Sequence, residues 1–298
     1  MPRNRALSDA AWARIEPLMP DASGKGGRPF RDHRRVVEGI VWRFRTGSPW
    51  RDLPAEFDPW QTAWKRHRRF SADGTWDRIH AKILADADAA GRIDWAVSVD
   101  STVNRAHQHA TNLPRRTGGP SNYRNLRQEP PDHGIGRSRG GLSTKIHHLV
   151  DGRGLPLVVI VGPGQAGDAP MFPILMGHLR VGRRGRGRPR TRPDRVRGDK
   201  AYSSRAIRAH LRERGIGAVI PEPADQQGHR KRRGSKGGRP VGYDTGDYKD
   251  RNVVERAFNE DKQWRGLATR YEKLALTYRG GAILRAITLW LKRLGDTP

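Results

Sequence analysis

The pattern of apolar residues changes near Gly91, and this change constrains the fold more than any other feature. Before it, apolar residues recur every three or four positions between basic ones, as in the run RRVVEGIVWRF. This period is typical of amphipathic helices. After it, short runs rich in Val, Ile and Thr alternate with turn-forming residues, which is typical of β-strands. We therefore predict an all-helical domain over residues 1–90 and a separate α/β domain over 91–298.

The order of elements after Gly91 predicts the architecture of the second domain. Five runs read as strands: DWAVSVDST, GGLSTKIHHLVD, LPLVVIVGPG, VRGDKAY and IGAVIPEP. Helices are predicted at 168–179, in SSRAIRAHLRERG, at about 249–265 and at 281–294. A long loop is predicted between the first two strands, and such loops are uncommon without a function or disorder. Three strands followed by alternating helices and strands predict a mixed sheet flanked by helices.

The charge of the chain predicts its kind of partner. The 298 residues contain 58 Lys and Arg against 31 Asp and Glu, a formal net charge of +27. So much positive charge repels itself unless a polyanion neutralises it, which favours nucleic acid. No apolar run of about 18 residues and no signal-peptide core occurs, and Gly and Pro interrupt the basic runs, which argues against a membrane. We therefore expect a cytoplasmic protein.

Two aspartates stand where predicted strands end. Asp100 follows the first strand in VSVDST, and Asp199 follows the fourth in VRGDKAY. Either could simply cap a turn, but a strongly basic protein has little other reason to cluster carboxylates. Because the chain contains no Cys, oxygen ligands and His remain for any metal, which favours hard cations.

The helix predicted at 249–265 carries a third carboxylate. At about 100° per residue, its polar face spans about 60° and its apolar face lies opposite. The polar residues are Tyr248, Arg251, Glu255 and Lys262, and the apolar ones are Val253, Ala257 and Trp264. A surface pair of Arg251 and Glu255 would be worth only a few tenths of a kcal/mol and would explain neither strand aspartate. Three carboxylates without Cys suit Mg²⁺ or Mn²⁺.

These residues resemble the catalytic core of bacterial insertion-sequence transposases of the DDE class, particularly the insertion-sequence-five family. Tyr248, Arg251, Glu255 and Lys262 match that family's signature Y-x2-R-x3-E-x6-K without a gap. VSVDST and GDKAYSS resemble its two Asp motifs. WRDLP, FDPWQTAWKRHRRF and GTW resemble the helical domain that precedes its catalytic core. The resemblance covers nearly the whole chain.

The resemblance implies a fold and an activity. It implies a ribonuclease-H-like fold for 91–298 and a helix-turn-helix-like DNA-binding domain for 1–90. The expected protein is a DNA transposase that binds the terminal inverted repeats of its own element, cleaves there and joins the freed 3′ end to target DNA. Double-stranded DNA is its expected partner, the bacterial nucleoid its location, and a homodimer or larger assembly its form on DNA.

The resemblance also implies roles for the matched residues. Two Mg²⁺ or Mn²⁺ ions are expected, with Asp100 bridging them and Asp199 and Glu255 holding one each. Arg251 and Lys262 are expected to contact phosphates or to balance the carboxylate charge. The signature Tyr either positions DNA or packs beside the site.

Two other functions stay open. A ribonuclease-H-like nuclease would cut DNA without joining it, and a strand-transfer assay separates that activity from transposition. A non-catalytic DNA-binding protein would explain the charge, using its first helices as a reader. It would leave the three aligned carboxylates unexplained.

The arginine-rich segments, the histidines and the tryptophans are predicted to have roles outside the catalytic group. The segments 183–197 and 230–239 are rich in Arg, Gly and Pro and are predicted to be loops that neutralise DNA phosphates. Four histidines are expected to be solvated or to contact phosphates: His107, His109, His147 and His148. The tryptophans expected to pack the helical domain are Trp42, Trp50, Trp60, Trp64 and Trp76.

Overall fold

The computed structural model of the protein describes residues 6–21, 32–113 and 129–295. Its helices are α1 (Asp9–Ile15), α2 (His33–Thr46), α3 (Trp60–Ala72), α4 (Thr75–Ala89), α5 (Gln108–Thr111), α6 (Asp168–His178), α7 (Arg205–Glu213), α8 (Ala224–Arg232), α9 (Thr245–Lys249), α10 (Asn252–Lys262), α11 (Arg265–Ala268) and α12 (Ala275–Gly295). None of these helices is long and apolar enough to cross a membrane. Half of the long loop predicted between the first two strands, residues 114–128, lies outside the described ranges.

The first two helices begin at capping side chains. Ser8 precedes α1 and accepts a hydrogen bond from the backbone N–H of Ala11. Asp32 precedes α2 and accepts from the backbone N–H groups of Arg34 and Arg35. Both caps satisfy N–H groups that have no partner inside the helix. The helix α2 ends at a glycine with a φ of 70°, a left-handed conformation that favours this residue.

The described strands form one mixed sheet. They are β1 (Ala96–Ala106), β2 (Gly136–Ser138), β3 (Gly141–Val150), β4 (Pro156–Pro163), β5 (Arg195–Gly198), β6 (Gly217–Val219) and β7 (Thr269–Arg270). The order is β2-β3-β1-β5-β6, with β4 also paired with β3 and β7 with β1. The strands β1, β3 and β4 are antiparallel neighbours, whereas β5 and β6 run parallel to β1. The predicted mixed sheet with helices is confirmed.

The last helix, α12, connects the N-terminal helices to the sheet. Its Trp290 is fully buried and donates its indole N–H to the backbone oxygen of Pro156 at 2.8 Å. The same oxygen accepts a hydrogen bond from His80 of α4 at 3.1 Å. The helices α2 and α12 also approach so closely that a Cβ at Gly281 would overlap the ring of Phe44. The apolar side chains of the N-terminal helices, α12 and the sheet therefore form one core, apart from a small separate cluster around α10. The division into two domains stays a prediction.

Several elements differ from the expected ones, and one of them is α8, which extends to Arg232 within the segment 230–239 that is predicted to be a loop. The helix predicted at about 249–265 is shorter in the structure, where it is α10, and α9 is a separate short helix before it, because the backbone tightens between them. There the N–H of Val253 bonds the oxygen of Asp250, and the N–H of Val254 bonds that of Arg251, both over three residues instead of four. The short strands β2 and β7 were not predicted, because two- or three-residue strands leave no period in a sequence. The last helix begins earlier than predicted, at Ala275.

Candidate active site

Asp100 and Asp199 each directly follow one residue of a matched pair on two neighbouring strands. The strands β1 and β5 run parallel, and the residues before the two aspartates, Val99 and Gly198, are paired. Asp100 does not end its strand as expected, since β1 continues to Ala106. The continuation is possible because β3 pairs with β1 along the other edge. Pairing with β5 stops just before Asp100, so its carboxylate lies where that edge becomes free.

Asp199 directs the chain out of the sheet. It is the first residue after β5, and its Oδ1 accepts a hydrogen bond from the N–H of Ala201 at 2.9 Å. This bond caps the short 3-10 helix Lys200–Tyr202. The capping leaves Oδ2 without a partner among the described residues, so this oxygen is available to a ligand.

The side chain of Arg251 connects Asp100 with Glu255. Its Nη1 donates to Oδ2 of Asp100 at 2.9 Å, and its Nη2 donates to Oε1 of Glu255 at 2.5 Å. Asp100 and Glu255 are far apart in sequence, and the packing of α10 on the sheet brings them together. Val254 and Phe258 of α10 pack on Val150 of β3 in a small apolar cluster. Opposite that buried face, the side chain of Glu255 is 52% exposed.

Burial raises the pKa of Asp100 above its ordinary value, and the nearby charge of Asp199 raises it further. The N–H of Ser101 and the guanidinium of Arg251 oppose this shift by stabilising the carboxylate. A group with two neighbouring carboxylates and a single arginine is thus short of positive charge. A bound cation would favour the ionised form of Asp100.

A fourth carboxylate, Asp168, lies beside these residues. Its Oδ1 accepts hydrogen bonds from Oγ of Ser101 at 2.6 Å and from Nζ of Lys145 at 2.9 Å. Burial alone would raise the pKa of Asp168, but the hydrogen bonds from these two donors lower it below its ordinary value. From the sequence alone, Asp168 is predicted only to be the first residue of a helix. Its place after GPGQAG, at a strand-to-helix connection, was the one available signal.

The hydroxyl of Tyr202 faces the same group. Tyr202 is fully buried, and its hydroxyl has no hydrogen-bond partner among the described residues. Burial raises the pKa of this phenol, and the charges of Asp168, Asp100 and Asp199 raise it further. The phenol therefore stays protonated and can donate a hydrogen bond to an anion near the carboxylates.

His147 and His148 are buried, which contradicts the expectation that they contact solvent or phosphate. The strand β3 is covered on both faces, so neighbouring side chains are both inside. His147 lies on the side of Asp168, and His148 packs on Phe258 of α10. His148 Nε2 is 3.3 Å from Oδ2 of the buried Asp261. Burial lowers the pKa of His148 to about 3 and raises that of Asp261 to about 7.

Two arginines of β5 hold α9 beside the site. Arg197 Nε donates to Oδ1 of Asp247 at 2.6 Å, and its Nη2 lies 3.2 Å from Asp250. Arg195 Nη1 donates to Oδ2 of Asp247 at 2.8 Å. The side chain of Asp247 is 7% exposed. Because α9 leads directly into Arg251, these ion pairs fix the approach of α10 to the sheet.

The remaining signature residues lie at the edges of the site. Tyr248 belongs to α9 and packs edge-on against Tyr243, with ring centres 5.6 Å apart. Lys262 is the last residue of α10 and is exposed, without a side-chain partner in the described ranges. The apolar face expected opposite Glu255 is confirmed, since Val253, Ala257 and Trp264 are all buried.

The predicted packing of the tryptophans is correct for four residues and wrong for Trp64, since Trp42, Trp50 and Trp60 are partly buried against the core that contains Trp76. Trp76 is fully buried, whereas the side chain of Trp64 is 37% exposed. Trp64 lines a cavity of about 810 Å³ between α3 and the chain around Tyr271. The helical period placed Trp64 near the apolar face of α3, but that face is filled by Ala63, His67 and Phe70.

The described residues contain no group of three or more His, Asp or Glu side chains close enough to hold a metal ion. Arg251 occupies the position between Asp100 and Glu255. The donor chemistry nevertheless fits a hard divalent cation. Asp199 offers a carboxylate oxygen without a partner among the described residues, and carboxylate oxygens are the ligands that such cations prefer. Burial, together with the nearby charge of Asp199, raises the pKa of Asp100, and a bound cation would oppose that rise.

Two family models match the chain. Residues 91–291 match the model described as "Transposase DDE domain", and residues 7–80 match the one described as "Putative transposase of IS4/5 family". The first match covers more than half of the chain, so the protein belongs to the DDE transposases. The second match narrows this class to transposases of insertion sequences, in agreement with the resemblance found in the sequence.

Curated relatives support this family. The chain is 39% identical over 107 residues to "Insertion element IS402 uncharacterized 16.2 kDa protein" of Burkholderia cepacia, covering 34% of this chain and 73% of that protein. It is 30% identical over 152 residues to "Putative transposase for insertion sequence element IS6501" of Brucella ovis, covering 51% of this chain and all of that protein. No solved structure matches the chain.

Proposed function

We propose that this transposase binds the terminal inverted repeats of its insertion sequence, cleaves the DNA there and joins the freed 3′ ends to target DNA. One observation carries the proposal: a single guanidinium, that of Arg251, contacts Asp100 and Glu255, while Asp199 leaves the strand paired with β1. The order of the strands, three antiparallel and two parallel to the first, supports a ribonuclease-H-like fold.

Asp100, Asp199 and Glu255 would hold two Mg²⁺ or Mn²⁺ ions. Bound there, the ions would supply Lewis-acid stabilisation of the charge that develops during phosphoryl transfer. Arg251 neutralises two of the three carboxylates in the protein without metal. It can turn to a DNA phosphate once cations take over that role, because the guanidinium fork suits either oxyanion.

Lys262 and Tyr248 extend the site toward the DNA. Lys262 is exposed at the end of α10, where its ammonium group can reach a phosphate. Tyr248 lies one helix before Glu255 and can position the strand to be cut. Residues 1–90 would recognise the inverted repeats, with basic side chains such as Lys65 and Arg69 exposed on α3. Two ends must be joined in one event, so we infer at least a dimer on DNA.

The test replaces Glu255 with Gln, which keeps the size of the side chain and removes its charge. Cleavage of a plasmid carrying the element ends, measured with Mg²⁺, should fall by about 100-fold or more. DNA affinity should stay unchanged or increase, because a carboxylate near phosphates repels them.

The matched control is Glu260→Gln on the same helix. Glu260 is 57% exposed and pairs with Arg285 at 2.9 Å, away from Asp100. The Glu260→Gln variant should cleave DNA at nearly the wild-type rate. Wild-type cleavage by Glu255→Gln would refute the assignment of the triad. Equal loss in both variants, with unchanged thermal unfolding, would refute it as well.

A strand-transfer assay separates the proposed function from simple cleavage. Pre-cleaved element ends with a free 3′-hydroxyl are mixed with a target plasmid and Mn²⁺. Joined products are expected from the wild type and not from Asp100→Asn. Cleavage without joining would favour the nuclease, and binding with neither activity would favour the non-catalytic DNA-binding protein.

A further inference from the structure

A cluster of arginines surrounds a cavity of about 410 Å³, whose wall also includes Ser203, four residues after Asp199. We call these residues the arginine cradle: Arg205, Arg208, Arg212, Arg230, Arg233 and Arg239. We propose that the arginine cradle binds consecutive backbone phosphates of double-stranded DNA that leaves the active site on the side of Asp199. The inference rests on the proposed function and adds the path of the DNA to it.

Two elements and a tight turn build the cradle. Three of its arginines project from α7, and the other three come from the end of α8 and the chain after it. The short 3-10 helix Gly234–Gly237 folds back on α8 so closely that a Cβ at Gly237 would overlap the backbone oxygen of Arg230. Gly234 and Gly238 have positive φ angles, of 53° and 77°, which reverse the chain direction. These glycines bring Arg239 back to the cavity.

Two of the six arginines have partners within the protein. Arg208 donates to Oγ of Ser203 at 2.9 Å and to the backbone oxygen of Ile220 at 2.8 Å. Arg230 forms an ion pair with Glu222. These bonds fix the floor of the cavity before any ligand arrives. A preformed site loses less side-chain entropy on binding.

The other four guanidinium groups have no side-chain partner among the described residues. They belong to Arg205, Arg212, Arg233 and Arg239, which are all exposed. The cavity wall contains one carboxylate, that of Glu222, against six guanidinium groups. Like charges held together repel one another, and an anion in the cavity relieves that repulsion. The unmatched charge predicts a ligand with several negative groups.

The position of the cavity favours the DNA backbone as that ligand. Ser203 lines the cavity and lies four residues after Asp199, just beyond the helix Lys200–Tyr202. A strand whose scissile phosphate lies at Asp199 therefore reaches the cavity with its next phosphates. Duplex DNA carries about one charge per 1.7 Å of its axis, so arginines from two sides of an open cavity can contact several at once. A single small anion would leave most of them unpaired.

The experiment measures how DNA affinity depends on salt concentration. The probe is a short duplex of random sequence, bound to the full-length protein without divalent metal. The cradle variant combines Arg205→Ala, Arg233→Ala and Arg239→Ala. The control variant combines Arg186→Ala, Arg188→Ala and Arg192→Ala, which removes the same charge from exposed arginines that also lack a side-chain partner in the described ranges.

The cradle variant should reduce the slope of log affinity against log salt by about 2 to 3, since each lost phosphate contact removes about 0.9. The control variant should reduce it by less than about 1. Equal slopes for the wild type and the cradle variant would overturn the proposal that the cradle binds DNA. Equal reductions of the slope in both triple variants would overturn it as well. The three arginines replaced in each variant are exposed, so both variants should fold, and circular dichroism verifies this.

The proposed function can fail separately from the cradle. If the wild type cuts DNA but the two triple variants share one slope, the cradle alone is wrong. If the cradle variant loses slope but no variant or wild type ever cuts DNA, the cradle stands and the catalytic proposal fails. Wild-type protein that does not bind duplex DNA at all overturns both.

Discussion

The two arginine-rich segments, 183–197 and 230–239, have similar compositions but different surroundings. In the first, four arginines form ion pairs with carboxylates: Arg184 with Asp86, Arg190 with Asp194, Arg195 with Asp247, and Arg197 with Asp247 and Asp250. In the second, Arg230 alone has a carboxylate partner among the described residues. Part of the positive charge of the first segment is thus neutralised by carboxylates of the protein. Most of the charge of the second segment is not neutralised in this way and is available to a ligand.

This difference shows that a run of arginines does not by itself locate a DNA contact. Three carboxylates from other elements, Asp86, Asp247 and Asp250, decide which arginines are neutralised inside the protein. The cradle experiment above tests the unpaired group. Three experiments on Arg197, Asp247 and Arg184 test the paired group.

Arg197→Ala should have the largest effect on stability. Its side chain is 7% exposed, and its removal leaves the equally buried Asp247 with less compensation. Removing one partner of a buried ion pair costs about 3 kcal/mol. Arg233→Ala, which removes an exposed and unpaired arginine, should change the free energy of unfolding by less than about 0.5 kcal/mol. Urea denaturation measures the free energy of unfolding of both variants. Equal losses would show that the two segments do not differ in how their arginines stabilise the fold.

The pH dependence of stability should reveal the same ion pairs. Burial alone would raise the pKa of Asp247, but hydrogen bonds from Arg195 and Arg197 hold it below its ordinary value of 3.8. A carboxyl with a lowered native pKa stabilises the fold above its unfolded pKa, and this contribution is lost as the pH falls below about 4.

Asp247→Asn isolates this contribution. Between about pH 6 and pH 3, wild type should lose more free energy of unfolding than Asp247→Asn, because the variant has no carboxyl to protonate at this position. Other buried groups, such as His148, titrate in both proteins, so their contributions to the pH dependence cancel in the comparison. A parallel loss in both proteins would mean that Arg195 and Arg197 do not stabilise the ionised form of Asp247.

Arg184→Ala should have the smallest effect. Arg184 pairs with Asp86 at 2.9 Å, but its side chain is 67% exposed, so water and salt screen the attraction. Exposed ion pairs contribute about 0 to 1 kcal/mol. The melting temperature should therefore change little, and the difference from wild type should vanish at high salt. A loss as large as that of Arg197→Ala would show that exposure does not separate the two kinds of pair.

Much of the site could be predicted because its residues lie at recognisable points of the chain. Asp199 follows a strand and caps a turn, and the apolar stripe of Val253 and Ala257 defines the buried face opposite Glu255. Asp168 could not be predicted in the same way. Its importance comes from Ser101 on β1 and Lys145 on β3, which are distant in the sequence and give no local signal.

The class of the elements, the mixed sheet and the matched signature follow from the sequence, because periods of two and 3.6 residues and fixed spacings are local properties. Packing in three dimensions is what places Asp100 within a longer strand, buries His148 beside Asp261 and lets Arg251 connect two carboxylates. It also decided which arginines are neutralised. Each of these outcomes depends on the distance between residues from different elements, and only packing sets that distance.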